Sequence, residues 1–208
     1  MAADRAGALP PGARLGILGG GQLGRMLALA AARLGIRTHI FAPEGEAPAC
    51  DVAADCTRAP YEDEDALAHF AARVDAVTYE FENVPLRSAQ FVDSLVHLAP
   101  GPLALAVAQD RLTEKDWLSA QGLLTAPYAA VEDAASLAAA IGRLGTPALL
   151  KTRRLGYDGR GQARIADAAG ARQALSAIGT VPAILEGEVR FIAEAAALVV
   201  RGADGRAL

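Results

Sequence analysis

The stretch "LLKTRRLGYDGRGQARI" (residues 149–165) sets Lys151, Arg153, Arg154, Arg160 and Arg164 around Gly156, Gly159 and Gly161. Glycines let a backbone come close to an anion and move away again, while ammonium and guanidinium groups neutralise phosphate oxygens. In a chain of net formal charge -4, this suits a loop that grips a phosphate chain and then releases it. A run of charge is commonly no more than a solvated face. Tyr157 and Asp158 among the glycines argue against that here, because a solvent loop has little need of an aromatic.

Two further stretches could share that chemistry. "GGGQLG" (19–24) fits G-x-G-x-x-G between an apolar strand and a helix, where free N–H groups and the helix dipole favour an anion. Alone the motif is weak, since a tight turn in any α/β protein can satisfy it. A nicotinamide dinucleotide would want a carboxylate at the tip of the second strand, but Phe41-Ala42-Pro43 stands there, with Glu44 beyond the proline. "YEFENVP" (79–85) places Glu80 and Glu82 after the third strand, on one face if the strand persists. Such a pair suits the hydroxyls or amine of a ligand whose phosphate lies on the glycine turn. Further on, Glu186 closes "AILE" and, with Glu194, brackets a strand pair where an adenine or ribose could meet carboxylate and backbone together.

The elements that must hold these residues follow from periodicity and punctuation. "RLGIL" (14–18), "RTHIF" (37–41) and "DAVTY" (75–79) read as buried strands, with helices over about 22–34 and 63–72. Strand, helix, strand in this rhythm implies parallel strands with right-handed crossovers, an open α/β sheet. A helix over 110–122 ends at Gly122, with Leu112, Lys115 and Leu118 at helical spacing. After Pro127 a small α+β unit is expected: strands at "YAAV", "PALLK", "QARI" and "AILEG", and helices over 134–141 and 168–178. Its antiparallel pair would carry the glycine loop at the tip. "ALVVRGADGRAL" reads as two strands turning at Ala203-Asp204-Gly205.

Composition narrows the class. Apolar residues make up 52 % of 208, enough for a core without staples, and no run is long enough to cross a bilayer. The opening "MAADRAGALPPGA" lacks the apolar core of a signal peptide and is expected to be a disordered tail. Mild acidity without a basic stripe argues against nucleic-acid binding. Cys50 and Cys56 fit neither a redox pair nor a zinc site, so they are expected as free thiols in a reducing cytoplasm.

Taken together, "GILGGGQLGRM", "YEFENVP", "QDRLTEK", "LLKTRRLGYDGRGQ" and "AILEGEVRFIAE" closely resemble the 5-(carboxyamino)imidazole ribonucleotide synthases of the ATP-grasp superfamily. These are ATP-dependent carboxylases of purine synthesis, and the resemblance runs from about Arg14 to the end of the chain. It implies a Rossmann-like domain over 14–121, an ATP-grasp lid over 122–186 and the start of a further ATP-grasp domain over 187–208. A C-terminal lobe holding the magnesium ligands would be absent, leaving the chain by itself inactive. The resemblance also implies that ATP and bicarbonate give carboxyphosphate, which carboxylates the amine of 5-aminoimidazole ribonucleotide.

Carried over motif by motif, Arg111 and Lys151 would contact ATP phosphates, under a flap of Gly156, Tyr157, Asp158, Gly159, Arg160, Gly161 and Gln162. Glu186, Gly187, Glu188, Val189 and Glu194 would hold adenine and ribose. The ribonucleotide phosphate would sit on Gly21, Gln22 and Leu23, with Glu80 or Glu82 near its ribose or amine. Tyr157, Asp158 and Arg160 would face the substrate, with Lys151, Asp158 and Arg160 catalytic. A homodimer in the cytoplasm, touching neither membrane nor nucleic acid, is the implied setting. Ala42 replaces a frequent aspartate and Ala196 a common serine. Rival readings are a formate-dependent glycinamide ribonucleotide transformylase, an NAD-dependent oxidoreductase and a non-catalytic nucleotide-binding module.

Overall fold

The computed structural model describes residues 8–156, 160–202 and 205–207. Contacts divide the chain into Met1–Ala106 with Ala197–Leu208, and Val107–Ala196.

In the first unit, the strands β1 (Arg14–Leu18), β2 (Arg37–Ala42), β3 (Asp55–Arg58) and β4 (Ala76–Tyr79) form a parallel sheet in the order β3-β2-β1-β4. Helix α1 (Gln22–Arg33) crosses from β1 to β2, and α2 (Glu64–Ala71) leads from β3 towards β4. Asp63 caps α2 by accepting the Ala66 N–H, and Glu64 and Asp65 complement the dipole in its first turn. Ile17, Leu18, Ile40, Phe41, Leu67 and Phe70 are fully buried on the two faces of the sheet. The helices α3 (Leu86–Leu95) and α4 (Pro102–Ala108) complete the unit.

The second unit begins at α5 (Arg111–Ala120). Its strands β5 (Tyr128–Val131), β6 (Ala148–Thr152), β7 (Gln162–Ile165) and β8 (Ala183–Gly187) make an antiparallel sheet in the order β5-β8-β6-β7. Helix α6 (Ala134–Leu144) starts with a reciprocal cap between Asp133 and Ser136, and α7 (Ala171–Ile178) follows a single 3-10 turn. Val131, Leu137, Leu150, Ile165 and Leu185 form the core between helices and sheet.

Three expectations are corrected. The stretch from Ala195 to Val200 is not a strand; beyond β8 the only pairing among the described residues is an isolated bridge from Arg201 to Ala207. Ala203 and Asp204 of the expected turn lie outside the described residues. Cys50 and Cys56 are not free thiols but form a disulfide. The chain after β2 turns back into β3 there, and this brings their Cα atoms within 5.5 Å. Finally, β4 stops at Tyr79, so Glu80 and Glu82 do not share a strand face. No helix among the described residues is long and apolar enough to cross a membrane.

Candidate functional site

The glycine turn is built by the parallel register of β1 and β4, which sets Leu18 opposite Tyr79. Glu80 follows directly, and its N–H donates to the Leu18 carbonyl at 3.1 Å. Its side chain then enters the turn: Oε1 accepts the Gly21 N–H at 2.8 Å and Oε2 the Gly24 N–H at 2.9 Å. Glycine is required at Gly19, where φ is +118° and an added Cβ would lie 2.2 Å from Cγ of Glu80. Gly20 faces the Cβ atoms of Ala47 and Ala42 at 2.7 and 2.8 Å from the same construction. Of the residues expected at this site, Glu80 reaches the turn and already engages the Gly21 N–H. Gln22 and Leu23 are exposed on its outer side, and Glu82 is exposed beyond the strand end.

In the second unit, Lys151 near the end of β6 and Glu186 in β8 lie on the same face of the sheet. Nζ of Lys151 donates to Oε2 of Glu186 at 2.8 Å, and Nζ of Lys115 from α5 lies 3.5 Å from Oε1. Lys115 also sits over the Tyr128 ring, 5.8 Å from its centroid. Glu186 is only 7 % exposed, so two ammonium groups share one buried carboxylate and leave a surplus positive charge. Such a cluster attracts an anion.

The root of the basic loop is fastened to the start of α5. Arg111 donates from Nη1 to the Thr152 carbonyl at 2.8 Å and from Nη2 to the Gly156 carbonyl at 2.6 Å. Its guanidinium therefore holds the loop backbone. Asp110, 5 % exposed, caps α5 by accepting the Leu112 and Thr113 N–H groups. The same carboxylate accepts from Arg153 at 3.0 and 2.9 Å and faces Arg154 at 3.4 Å. Burial pushes its pKa up, but the Arg153 hydrogen bond and the two N–H groups outweigh that and hold it below the usual value. The same bond to Asp110 raises the Arg153 pKa.

Across the loop, the Thr152 N–H donates to the Gly161 carbonyl at 2.8 Å. A Cβ at Gly161, where φ is +66°, would meet Oγ1 of Thr152 at 2.6 Å. A Cβ at Gly156 would meet Nη1 of Arg111 at 2.9 Å. Glycine is thus required at Gly161, and Gly156 leaves room for the Arg111 guanidinium. Arg160 is exposed, and Gln162 pairs with Lys151 across β6 and β7. Gly187 closes β8, donating its N–H to the Pro127 carbonyl at 2.8 Å; Glu188 accepts from Arg164 at 2.7 Å. Val189 and Glu194 are exposed on the irregular stretch beyond. Tyr157, Asp158 and Gly159 lie outside the described residues.

Two contributors were not singled out by motif, Asp110 and Lys115. The first carried the signal of an N-cap ahead of "RLTEK", and the second lies four residues from Arg111 on one helix face. No group of three or more His, Cys, Asp or Glu side chains among the described residues is placed to hold a metal ion. The magnesium implied by the resemblance therefore finds no ligand set in them.

The ribonucleotide synthetase preATP-grasp domain family matches residues 13–109, and the ATP-grasp domain family matches residues 116–208. An N5-carboxyaminoimidazole ribonucleotide synthase of Brucella melitensis is 49 % identical over 199 residues, which is 95 % of this chain and 55 % of that protein. A crystal structure of an N5-carboxyaminoimidazole ribonucleotide synthetase in its ADP complex superposes with a TM-score of 0.88 at 36 % identity, covering 96 % of this chain and 53 % of its own. The Aspergillus clavatus synthase, solved with ADP and 5-aminoimidazole ribonucleotide, gives 0.77 at 29 % identity over 86 % of this chain and 47 % of its own. The chain spans about half the length of the curated relatives it matches. With both sheets and the order of its motifs in agreement, the chain belongs to the N5-carboxyaminoimidazole ribonucleotide synthase family and has its ATP-grasp fold.

Proposed function

We propose that this chain serves the ATP-dependent carboxylation of 5-aminoimidazole ribonucleotide. In the first step a bicarbonate oxygen attacks the γ-phosphorus of ATP, and ADP leaves, giving carboxyphosphate. The amine of the ribonucleotide then attacks the carboxyl carbon, or the CO2 released from it; phosphate leaves and the amine loses a proton. Phosphoryl transfer of this kind depends on positioning and on neutralising charge around the transferring group.

The observation that carries this reading is the cluster of Lys115, Lys151 and Glu186 at the root of a glycine loop. It offers a surplus cation where a triphosphate would lie, and Arg111, on the Thr152 and Gly156 carbonyls, would add a second. Arg160, Tyr157 and Asp158 would face the substrate from the loop, and Gly187, Glu188, Val189 and Glu194 would meet adenine and ribose. The ribonucleotide phosphate would sit on the turn of Gly21, Gln22 and Leu23, with Glu80 or Glu82 near its ribose or amine. Magnesium would accompany the triphosphate, its ligands supplied from outside the described residues. A cytoplasmic homodimer fits the same reading, and light scattering reports the oligomeric state.

The decisive variant is Lys151→Ala in a protein of the relatives' full length. It is expected to remove most bicarbonate- and ribonucleotide-dependent ADP formation, a loss of about 2.7–4 kcal/mol in transition-state stabilisation, without altering the fold. Near-normal turnover, or tight NADH binding by the unaltered chain, would sink the reading.

A further inference from the structure

The connection from β2 to β3, residues 43–54, forms neither helix nor strand, yet the glycine turn rests on it. A Cβ added at Gly20 would stand 2.7 Å from Cβ of Ala47, and one at Gly24 would stand 3.3 Å from Cβ of Ala49. The Ala49 N–H donates to the Gly20 carbonyl at 3.0 Å. Ala47 and Ala49 are both buried, so the stretch Ala47–Asp51 is a wall of the turn and not a solvent loop. Its own anchors are light. Alanines bury little apolar area, and the Arg25–Asp51 pair, exposed and 3.8 Å apart, is worth little in water. The firm tie is covalent: Cys50, next to Ala49, is bonded to Cys56 in β3.

The bond is open to chemistry. Both cysteines are half-buried at the rim of the sheet, within reach of a small thiol. They lie six positions apart, and so short a ring constrains the unfolded chain less than a long one, leaving less to oppose reduction. In a compartment rich in thiols, a disulfide of this kind serves as a redox sensor more often than as a staple.

We propose that Cys50–Cys56 is a reversible thiol–disulfide site whose oxidised form pins the stretch Ala47–Asp51 against the glycine turn and whose reduced form releases it. The co-reactant is a small thiol of the glutathione class. Its thiolate attacks Sγ of one cysteine, the S–S bond breaks, and the other sulfur leaves as a thiolate. A second thiol attacks the mixed disulfide, frees the first cysteine and leaves as the external disulfide. Two electrons pass from the two thiols to the protein, and the proton each thiol gives up ends on a cysteine sulfur. The external disulfide reverses the sequence.

The first test needs no substrate. The chain as it stands is equilibrated with glutathione and its disulfide, and free thiols are trapped with iodoacetamide and counted by mass. Cys50 and Cys56 should open together in the folded protein at millimolar glutathione. Reduction should speed amide hydrogen exchange at Ala49 about tenfold, because that N–H is held only as firmly as its own stretch. Exchange at Gly19, whose N–H donates to the Phe41 carbonyl at 2.9 Å, should stay the same. The double variant Cys50→Ser, Cys56→Ser should show the faster Ala49 exchange with or without reductant. A bond that opens only on unfolding, or equal Ala49 exchange in the two forms, would overturn the proposal.

The second test rests on the ribonucleotide reading above, which places the ligand phosphate on this turn. In a protein of the relatives' full length, dithiothreitol should raise KM for 5-aminoimidazole ribonucleotide about threefold and leave KM for ATP unchanged. The double variant should hold the raised value whether or not reductant is present. A ribonucleotide KM that ignores the state of the bond, or one that moves equally with KM for ATP, would overturn the coupling to the turn. If 5-aminoimidazole ribonucleotide is not a substrate in either form, the functional reading fails, while thiol trapping and Ala49 exchange still decide the redox site.

Discussion

Lys151 and Glu186 meet at 2.8 Å across antiparallel strands although they are not direct register partners: Leu149 is opposite Glu186, and Lys151 is opposite Ile184. The contact is the diagonal one open to long side chains on one sheet face. Lys115 reaches the other oxygen of the same carboxylate. Replacing Glu186 by Gln leaves two cations side by side with a single weak acceptor. The expected cost is about 3 kcal/mol of stability, read by urea unfolding. Lys115→Met should cost less, about 1 kcal/mol, because Lys151 keeps its partner.

Asp110 serves two tasks at once, as cap of α5 and as counterion of Arg153. Asp110→Ala should cost about 2–4 kcal/mol, the sum of a lost cap and a mostly buried guanidinium left with only Glu132, 3.6 Å away. Asp110→Asn can still accept the helix N–H groups and should cost clearly less. Equal losses for the two variants in thermal unfolding would show that the charge, not the cap, carries the effect.

Acid should weaken the fold through the same residue. Its pKa is depressed in the folded state, so its contribution is present above the unfolded value of about 4 and is lost as pH falls through the folded value. Unfolding free energies of Asp110→Asn and the parent should therefore converge below about pH 4.

His39 gives a second dependence at milder pH. It is 1 % exposed in β2, edge-on to Phe70, with Nε2 and the Thr57 hydroxyl 2.8 Å apart and Nδ1 without a hydrogen-bond partner among the described residues. Burial, then the nearby Arg73 with Arg14 adding, lowers its pKa against the opposing pull of Asp55. The unfolded chain thus takes up a proton first as pH drops. Stability is full above about pH 6.5 and declines below it, by at most about 1.4 kcal/mol per unit, until the folded form also titrates. His39→Gln should flatten the unfolding profile between about pH 6.5 and 5.

The Cys50–Cys56 disulfide closes a short loop, six residues apart in sequence. Constraint of the unfolded chain by so small a ring is worth about 2 kcal/mol. Dithiothreitol should lower the thermal midpoint by about 4–8 °C, and the double variant Cys50→Ser, Cys56→Ser should not respond. A parent midpoint indifferent to reductant would mean that the bond contributes nothing.

Sequence patterns disclosed the elements that are apolar and punctuated, and missed those whose stability lies elsewhere. The strands β1 and β2 and the helix α1 were legible from a buried run, a triple glycine and helical spacing. The strand β3 was not, because "DCTR" is polar, none of its residues is fully buried, and among the described residues it pairs with β2 alone. Conversely, "ALVV" has strand propensity but forms no ladder, and propensity without a partner does not make a sheet. At the site, the chemistry of Lys151, Arg111 and Glu186 was visible as residue type. The pairing of Glu80 with Gly21 and Gly24, and of Lys115 with Glu186, was not. Each joins residues more than fifty positions apart, and no local periodicity records such a contact.

The second sheet has one more implication, for the order of events as the polypeptide is made. The strand β8 is last in sequence but lies inside the sheet, between β5 and β6. Until it emerges, β5 has no ladder partner, and Lys151 and Lys115 have no carboxylate between them. The ribosome adds roughly 30 further residues after β6 before β8 exists, an interval of seconds at about 5–20 residues per second. Through that interval the nascent unit exposes two unsatisfied strand edges and two facing ammonium groups. A chaperone that shields open edges, or an early polyanion, would find its opportunity there.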